Sequence, residues 1–168
     1  MNDPRVEVHN SDAMVWFRDH DQRFDVIILD FPDPTNCSLG KLYSARFYRT
    51  IYDRLADDGA LVVQSTSPLF ALQAYWCIDT TLRSVGFSTA PYHVFVPAFG
   101  EWGYVLAKKS PFRPPQDLQV AGLAYLTPET LRLGSNFPED RRAVQTRANR
   151  LDNQALVHFY LDAWARWQ

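Results

Sequence analysis

The sequence predicts an open α/β sheet that ends in an antiparallel hairpin. Residues 26–29 are apolar without interruption, Val26-Ile27-Ile28-Leu29, as in a central strand covered on both faces. Strand-like and helix-like runs alternate up to about residue 85, the pattern of a layered α/β domain. Two last strands, at residues 90–97 and 104–108, are then joined through Phe99-Gly100-Glu101-Trp102-Gly103.

Each element has a local cause. Val6 and Val8 alternate with polar neighbours over residues 5–9, the period of a short strand. Ser11 or Asp12 can cap a helix running through Trp16, Phe17 and Arg18. Polar residues 19–23 connect it to the apolar strand. The next helix is expected at residues 43–55, with Phe47, Ile51 and Leu55 on one stripe. Asp57-Asp58-Gly59 should stop it, and residues 60–64 read as the next buried strand. Residues 65–68 form a turn, with Pro68 near the first position of a helix that carries Leu69, Leu72, Trp76 and Leu82 to about Val85. Gly86 ends that helix. Residues 1–110 are thus expected to form a partial sheet domain. A Pro-rich link at 111–115 opens a helical tail, residues 111–168, with helices near 128–133 and 153–167 and a capping region at 149–153.

With 168 residues the chain can bury a core of about 70% of its unfolded surface. A net charge of −2 offers no basic footprint for nucleic acid. No run reaches the roughly 20 apolar residues of a membrane helix, and no basic-then-apolar leader is present, so a soluble cytoplasmic chain is expected. Cys37 and Cys77 lack any paired spacing, and His9, His20, His93 and His158 lack metal-ligand spacing, so no metal site is expected. Cys77 reads as core.

The chemistry-bearing stretch follows the apolar strand: Asp30-Phe31-Pro32-Asp33-Pro34. Ligands of open α/β sheets bind at the carboxyl ends of strands. The two prolines fix their own φ and bias the residues before them to extended conformations. A stiff turn holding two carboxylates suits a cationic substrate, although Asp30 could equally end a strand and Asp33 cap a turn.

The same residues carry a resemblance to the polyamine synthases, the spermidine and spermine synthases or aminopropyltransferases. Those enzymes have an Asp-x-x-Asp-Pro element after such a strand, a Leu-Tyr or Leu-Phe opening the next helix, and a Gln ending the strand after it. Here the series is Asp30-Phe31-Pro32-Asp33-Pro34, Leu42-Tyr43 with Phe47-Tyr48, and Gly59-Ala60-Leu61-Val62-Val63-Gln64. Residues 96–104, Val-Pro-Ala-Phe-Gly-Glu-Trp-Gly-Tyr, look like the family's closing hairpin. The resemblance spans roughly residues 5–108. Asn149-Arg150-Leu151-Asp152-Asn153-Gln154 is similar to the C-terminus of long bacterial members that begin with a membrane region.

What the resemblance implies is a Rossmann-like sheet of the class I methyltransferase type, and aminopropyl transfer from decarboxylated S-adenosylmethionine to an amine such as putrescine. No tightly bound cofactor is implied. Asp30 would be the base, with Asp33, Gln64, Tyr43 and Phe99 as substrate contacts. Asp12 and Ala13 would read the adenine, with Phe31 and Pro34 beside the adenosyl group. For Asp12 a helix cap fits as well, and for Gln64 a strand-end cap. The usual Gly-Pro after Asp-Pro is replaced by Thr35-Asn36-Cys37-Ser38, and the hairpin tyrosine by Phe99, which removes a hydroxyl. No Gly-x-Gly-x-x-Gly occurs, so only the second half of a nucleotide-binding domain is expected, with an N-terminal half belonging to a longer or truncated parent, for which the resemblance to the long bacterial members implies an anchor in the inner membrane. The strand at 26–29 would then have an open edge, inviting a homodimer or direct pairing with residues 6–9. A methyltransferase-like domain and a non-catalytic, self-associating fragment are the alternatives.

Overall fold

The computed structural model describes residues 3–118 and 120–166. Its elements run α1 (Ala13–Asp19), β1 (Phe24–Leu29), α2 (Cys37–Gly40), α3 (Ala45–Arg54), β2 (Leu55–Gln64), α4 (Leu72–Ser84), β3 (Ser88–Val96), β4 (Gly100–Lys108), α5 (Pro128–Gly134) and α6 (Ala155–Trp164), with short 3-10 turns at Lys41–Tyr43 and Glu139–Arg141. The expected tail helix at 153–167 reaches past these residues: Trp167 lies outside the described residues.

Four strands form one sheet in the order β1-β2-β4-β3. β1 and β2 are parallel, and β4 inserts antiparallel between β2 and β3. This is the expected α/β sheet with an antiparallel hairpin at one side. The hairpin is tighter than expected: Glu101, Trp102 and Gly103 belong to β4, and only residues 97–99 turn.

The expected strand at residues 5–9 does not form. That segment is without regular structure, with Val6 52% and Val8 67% exposed. Alternation alone cannot make a strand where no neighbour accepts its hydrogen bonds. β1 therefore pairs with β2 only, and its other edge is unpaired among the described residues. The expectation of cover on both faces also fails. Ile27 and Leu29 are buried, whereas Val26 and Ile28 are 61% and 70% exposed.

β2 starts earlier than expected, directly after α3. Its register with β1 jumps from Phe24–Leu55 to Val26–Ala60, so Asp57, Asp58 and Gly59 bulge within the strand. Gly59 is required there, because a Cβ would come within 2.9 Å of the Asp25 carbonyl oxygen. α3 begins at Ala45 rather than Tyr43 because Ser44 caps it, accepting from the Phe47 amide. α4 begins at Leu72 rather than Leu69. The Ser67 hydroxyl holds the Leu69 and Phe70 amides in a turn ahead of the helix.

One face of the sheet packs on α3 and α4. Ile27, Leu29, Leu61, Val63, Val105 and Ala107 meet Phe47, Ile51, Cys77, Ile78 and Leu82 in a single core. The opposite side of α4 holds the tail. Trp76 donates to the Arg141 carbonyl, the Cys77 thiol approaches the Arg147 carbonyl, and Thr80 meets Thr146. Cys77 is thus core, between sheet and tail. A second clip joins the hairpin to the tail, where Glu101 lies 3.2 Å from His93 and 3.3 Å from Arg141. No helix among the described residues is long and apolar enough to cross a membrane.

Asn149 fastens the tail most firmly. Fully buried, it donates from Nδ2 to the Gly40 carbonyl at 2.9 Å and accepts the Leu156 amide at 3.2 Å. Its own amide donates to Thr81, and its carbonyl accepts the Ala45 amide. Asn149→Ala would orphan two buried backbone groups, at about 1–3 kcal/mol each. Urea denaturation of the variant should show a loss of about 2–6 kcal/mol. A loss within error of zero would mean that the tail docks by other contacts.

Candidate active site

β1 delivers its last residue, Leu29, into the core, and the chain leaves the sheet at Asp30. The turn that follows is set by its prolines and by Tyr43. That buried side chain points its hydroxyl at the carbonyl oxygens of Phe31 (3.0 Å) and Pro32 (3.2 Å) and at Gln64 Oε1 (3.2 Å). All three are acceptors, so the Tyr43 proton serves them in common. Burial, and then the charges of Asp33 and Asp30, raise the Tyr43 phenol far above its ordinary range, and it remains a donor.

Asp33 is held from the neighbouring strand. Its Oδ1 accepts from Gln64 Nε2 at 3.2 Å, and its Oδ2 accepts from the Thr66 hydroxyl at 3.1 Å. Thr66 carries φ 59°, a region that β-branched residues rarely enter. It is fixed there by β4: Gly103 donates to the Thr66 carbonyl at 2.7 Å, and Ser65 donates to the Gly103 carbonyl at 2.9 Å. Gly103 must be glycine, since a Cβ would stand 2.3 Å from Tyr75 Cε2. A strained threonine held from both sides in this way fits a functional position.

Asp30 differs. It is exposed and makes no hydrogen bond or ion pair among the described residues. β1 and β2 pair Leu29 with Val63, and one further step of that register sets Asp30 beside Gln64. Gln64 pairs with Tyr104, and Tyr104 with Tyr92, so the four form a row across the sheet. Burial, then the Asp30 charge, raises the Tyr104 phenol. Tyr92 stacks on Tyr104 at 5.4 Å, and its phenol is pushed up to about 12 by burial and then by Tyr104.

The structure brings Asp30, Asp33, Gln64 and Tyr43 together. Phe31 packs edge-on to Tyr43, with ring centroids 6.2 Å apart, and Pro34 is buried beneath the turn. Asp12 caps α1, accepting the Met14 and Val15 amides, and pairs with Lys41 Nζ at 2.6 Å. The Lys41 ammonium holds its carboxyl below the usual carboxylate range. Ala13 opens α1 and packs on the core. Phe99 lies on the hairpin turn, 60% exposed, 5.2 Å from the Trp102 ring. No described contact joins Phe99 to either acid. Thr66, Tyr104 and, from α6, Tyr160 are site neighbours that the sequence did not single out. Only Thr66, two residues past Gln64 at a strand end, carried a local signal.

The cluster sits at the open end of the sheet. A cavity of about 430 Å³ between β3 and the tail, lined by Tyr92, Leu106, Pro114 and Leu131, does not include the acids, nor does one of about 450 Å³ beside Leu69 and Ala163. Among the described residues no three His, Cys, Asp or Glu side chains group to hold a metal.

An α/β sheet in which two acids follow β1 and an antiparallel β4 inserts beside β2 has a methyltransferase-like fold. Residues 1–117 match the model of the spermine/spermidine synthase domain, and the chain belongs to that family. It is 47% identical over 166 residues to a polyamine aminopropyltransferase of Leptospira interrogans, covering 99% of this chain and 33% of that protein. A polyamine aminopropyltransferase of Ralstonia nicotianae is 46% identical, with 97% and 32% covered. The chain thus spans about a third of the length of these curated relatives. The fold matches a spermidine synthase solved with the transition-state analogue AdoDATO, with TM-score 0.71, 27% identity, and 82% of this chain and 50% of that one covered. The spermidine synthase of Thermotoga maritima matches with TM-score 0.66 at 26% identity, covering 82% and 48%.

The tyrosines around the site make stability sensitive to alkali. Tyr43, Tyr48 and Tyr75 are all raised, chiefly by burial, whereas in an unfolded chain they ionise near a pH of about 10. Their contribution is complete below that value and is lost as pH rises towards the folded-state pKa. Urea midpoints should be flat from about pH 8 to 9.5 and fall steeply above about pH 10. A flat profile to about pH 11.5 would contradict the burial of these phenols.

Proposed function

We propose that this chain supplies the acidic half of an aminopropyltransferase site. The reaction moves an aminopropyl group from decarboxylated S-adenosylmethionine to a polyamine acceptor such as putrescine. The observation that carries the proposal is the unequal pair of acids: Asp33 is held by Gln64 and Thr66, whereas Asp30 is exposed and makes no hydrogen bond or ion pair among the described residues.

Transfer needs both behaviours. The acceptor amine attacks the methylene beside the sulfonium. A C–N bond forms, the C–S bond breaks, and its electron pair leaves with methylthioadenosine. An alkylamine is largely protonated at neutral pH, since its pKa resembles the lysine value of about 10.4, so a base must take a proton. Asp30, open to solvent at the strand end, suits that task. The donor's own ammonium does not react and needs a fixed counter-charge, which Asp33 provides. At an effective dielectric of about 20 such a pair at about 4 Å is worth roughly 4 kcal/mol before desolvation. Gln64 and Tyr43 hold the acids at their spacing. Phe31 and Pro34 would flank the adenosyl group. Asp12, with Ala13, would read the adenine amino group, which would then share the Asp12 carboxylate with Lys41. Methyl transfer is less well served, because it gives Asp33 no ammonium to hold. A cytoplasmic location and the absence of a tightly bound cofactor belong to the same proposal.

The test uses a chimera in which this chain replaces the matching third of a full-length relative. Asp30→Asn should lower kcat by about 100-fold or more, the usual contribution of a positioned base, without changing the thermal midpoint. Turnover that survives the change intact would make Asp30 structural. In the same assays Phe99→Tyr should shift acceptor preference towards putrescine. Identical acceptor competition in both forms would remove Phe99 from specificity.

The free edge of β1 favours a second property. Val26 and Ile28 expose apolar surface beside unpaired strand amides, a template for pairing with another chain. As a separate 168-residue chain it is expected to form a two-fold dimer through this edge. Sedimentation should show a dimer that Ile28→Lys dissociates, and a monomer at every accessible concentration would dispose of the idea.

A further inference from the structure

We infer that Glu101 is a positioning residue for the donor-binding carboxylate Asp33, acting through the start of β4, and that Arg141 of the C-terminal tail holds Glu101 in place. The inference rests on the aminopropyltransferase reading above. Arg141 lies beyond residues 1–117, the segment that matches the family domain.

Asp33 depends on a stretch of backbone that needs outside support. Thr66, whose hydroxyl donates to Asp33 Oδ2, stands at φ 59° just past the end of β2. Such a conformation persists only where neighbours hold it. Three bonds to the first residues of β4 do so. Gly103 donates to the Thr66 carbonyl at 2.7 Å, and Ser65 donates to the Gly103 carbonyl at 2.9 Å. The Ser67 hydroxyl donates to the Glu101 carbonyl at 2.7 Å. The last rung between β2 and β4 joins Gln64 to Tyr104, so residues 101–103 lie past that ladder, next to the hairpin turn. β3 pairs with them, but within the same hairpin.

A tie from outside the hairpin comes from the Glu101 side chain. One carboxylate oxygen lies 3.3 Å from Arg141 Nε, and the other lies 3.2 Å from His93 Nδ1. The three side chains are only 18%, 20% and 17% exposed, so water and salt screen this cluster little. Arg141 is itself seated. Its carbonyl accepts from Nε1 of Trp76, which is buried in α4, at 3.1 Å, and its Nη2 lies 3.9 Å from Asp140. His93 Nε2 stands 3.2 Å from the Asn136 carbonyl oxygen, and the Phe137 ring lies 4.8 Å from the His93 ring. His93 also shares a rung with Gly103, the residue that clasps Thr66. The path to the site is therefore short: Arg141 fixes Glu101, the start of β4 fixes residues 65–67, and Thr66 fixes Asp33. Loosening the ion pair frees that end of β4, lets Thr66 relax and leaves Asp33 to Gln64. Only a group bound to Asp33 should feel the change.

Two measurements decide this. In the chain itself, Glu101→Gln should quicken amide hydrogen exchange at Ser65 and Gly103 about tenfold, with the α4 amides unchanged. Arg141→Gln, which keeps the backbone bond to Trp76, should do the same without touching β4. Protection unchanged at Ser65 and Gly103 would overturn the clamp. Equal quickening throughout α4 would mark a general loss of stability and overturn the positioning role. In the chimera, either variant should raise KM for decarboxylated S-adenosylmethionine roughly three- to tenfold, the size of one hydrogen bond's net contribution. Inhibition by methylthioadenosine, which lacks the ammonium, should be unchanged. An unaltered KM, or a parallel weakening of donor and methylthioadenosine, would overturn the action on Asp33. A chimera inactive with the unaltered chain would instead overturn the aminopropyltransferase reading, and this role with it, while exchange still judged the clamp.

Discussion

A carboxylate fixed between separate pieces of chain organises this molecule. Asp33 leaves β1 on a proline-bounded turn and meets Gln64 and Thr66 where β2 ends. A half-buried anion is tolerated only where donors replace lost water. Supplying them demands that the chain just past the end of β2 stay beside Asp33, and there Gly103 of β4 clasps Ser65 and Thr66. That clasp in turn requires β4 to lie between β2 and β3. The antiparallel insertion, the glycine at 103 and the strained backbone at Thr66 are therefore linked consequences of holding one charge still.

The contrast with Asp30 follows from one step of register. Residues 26, 28 and 30 share the side of β1 that no described element covers, and residues 27 and 29 share the core side. Asp30 inherits the open side and stays hydrated. Asp33, after the turn, reaches back to the partner strand. The chain thereby makes one exposed and one hydrogen-bonded acid from a single five-residue stretch, without burying a second charge. Tyr104, opposite Gln64, adds a neutral phenol beside the exposed acid, so the row across the sheet does not compound the negative charge.

Much of this was legible in the residues because it is local. The apolar run at 26–29, the prolines around Asp33, the terminator Gly86 and the cap Asp12 each act within a few positions, and the structure places β1, α4 and α1 accordingly. The hairpin was visible but its turn was set too wide, because glycines at 100 and 103 look alike in sequence. Only the first bends the chain, at φ 76°, while the second makes space for Tyr75. The strand expected at Val6 and Val8 failed for the opposite reason. Alternation is a local signal, but a strand exists only with a partner. The same limit concealed the tail's place. Nothing near Val157 in sequence points to Gly40, more than a hundred residues away, and only the fold packs the two together.

The two faces of the sheet show how far the chain's own residues can go. On the core face, burial is complete from Ile27 to Ala107, and α4 is covered again by the tail, so this half is held by apolar packing on both sides of one helix. On the other face Val26 and Ile28 remain exposed while Leu106 and Tyr92 line a cavity beneath the tail. Apolar strand residues cost stability when left in water, at about 25 cal/mol per Å². A strand with this composition is suited to a sheet covered twice. The acids at its end stand where the two faces meet. A further segment or a second copy laid over Val26 and Ile28 would also lie on the side of β1 where Asp30 is exposed. On the proposed aminopropyl-transfer reading, cover for Val26 and Ile28 would therefore also change the surroundings of Asp30, which lies on the same side of β1.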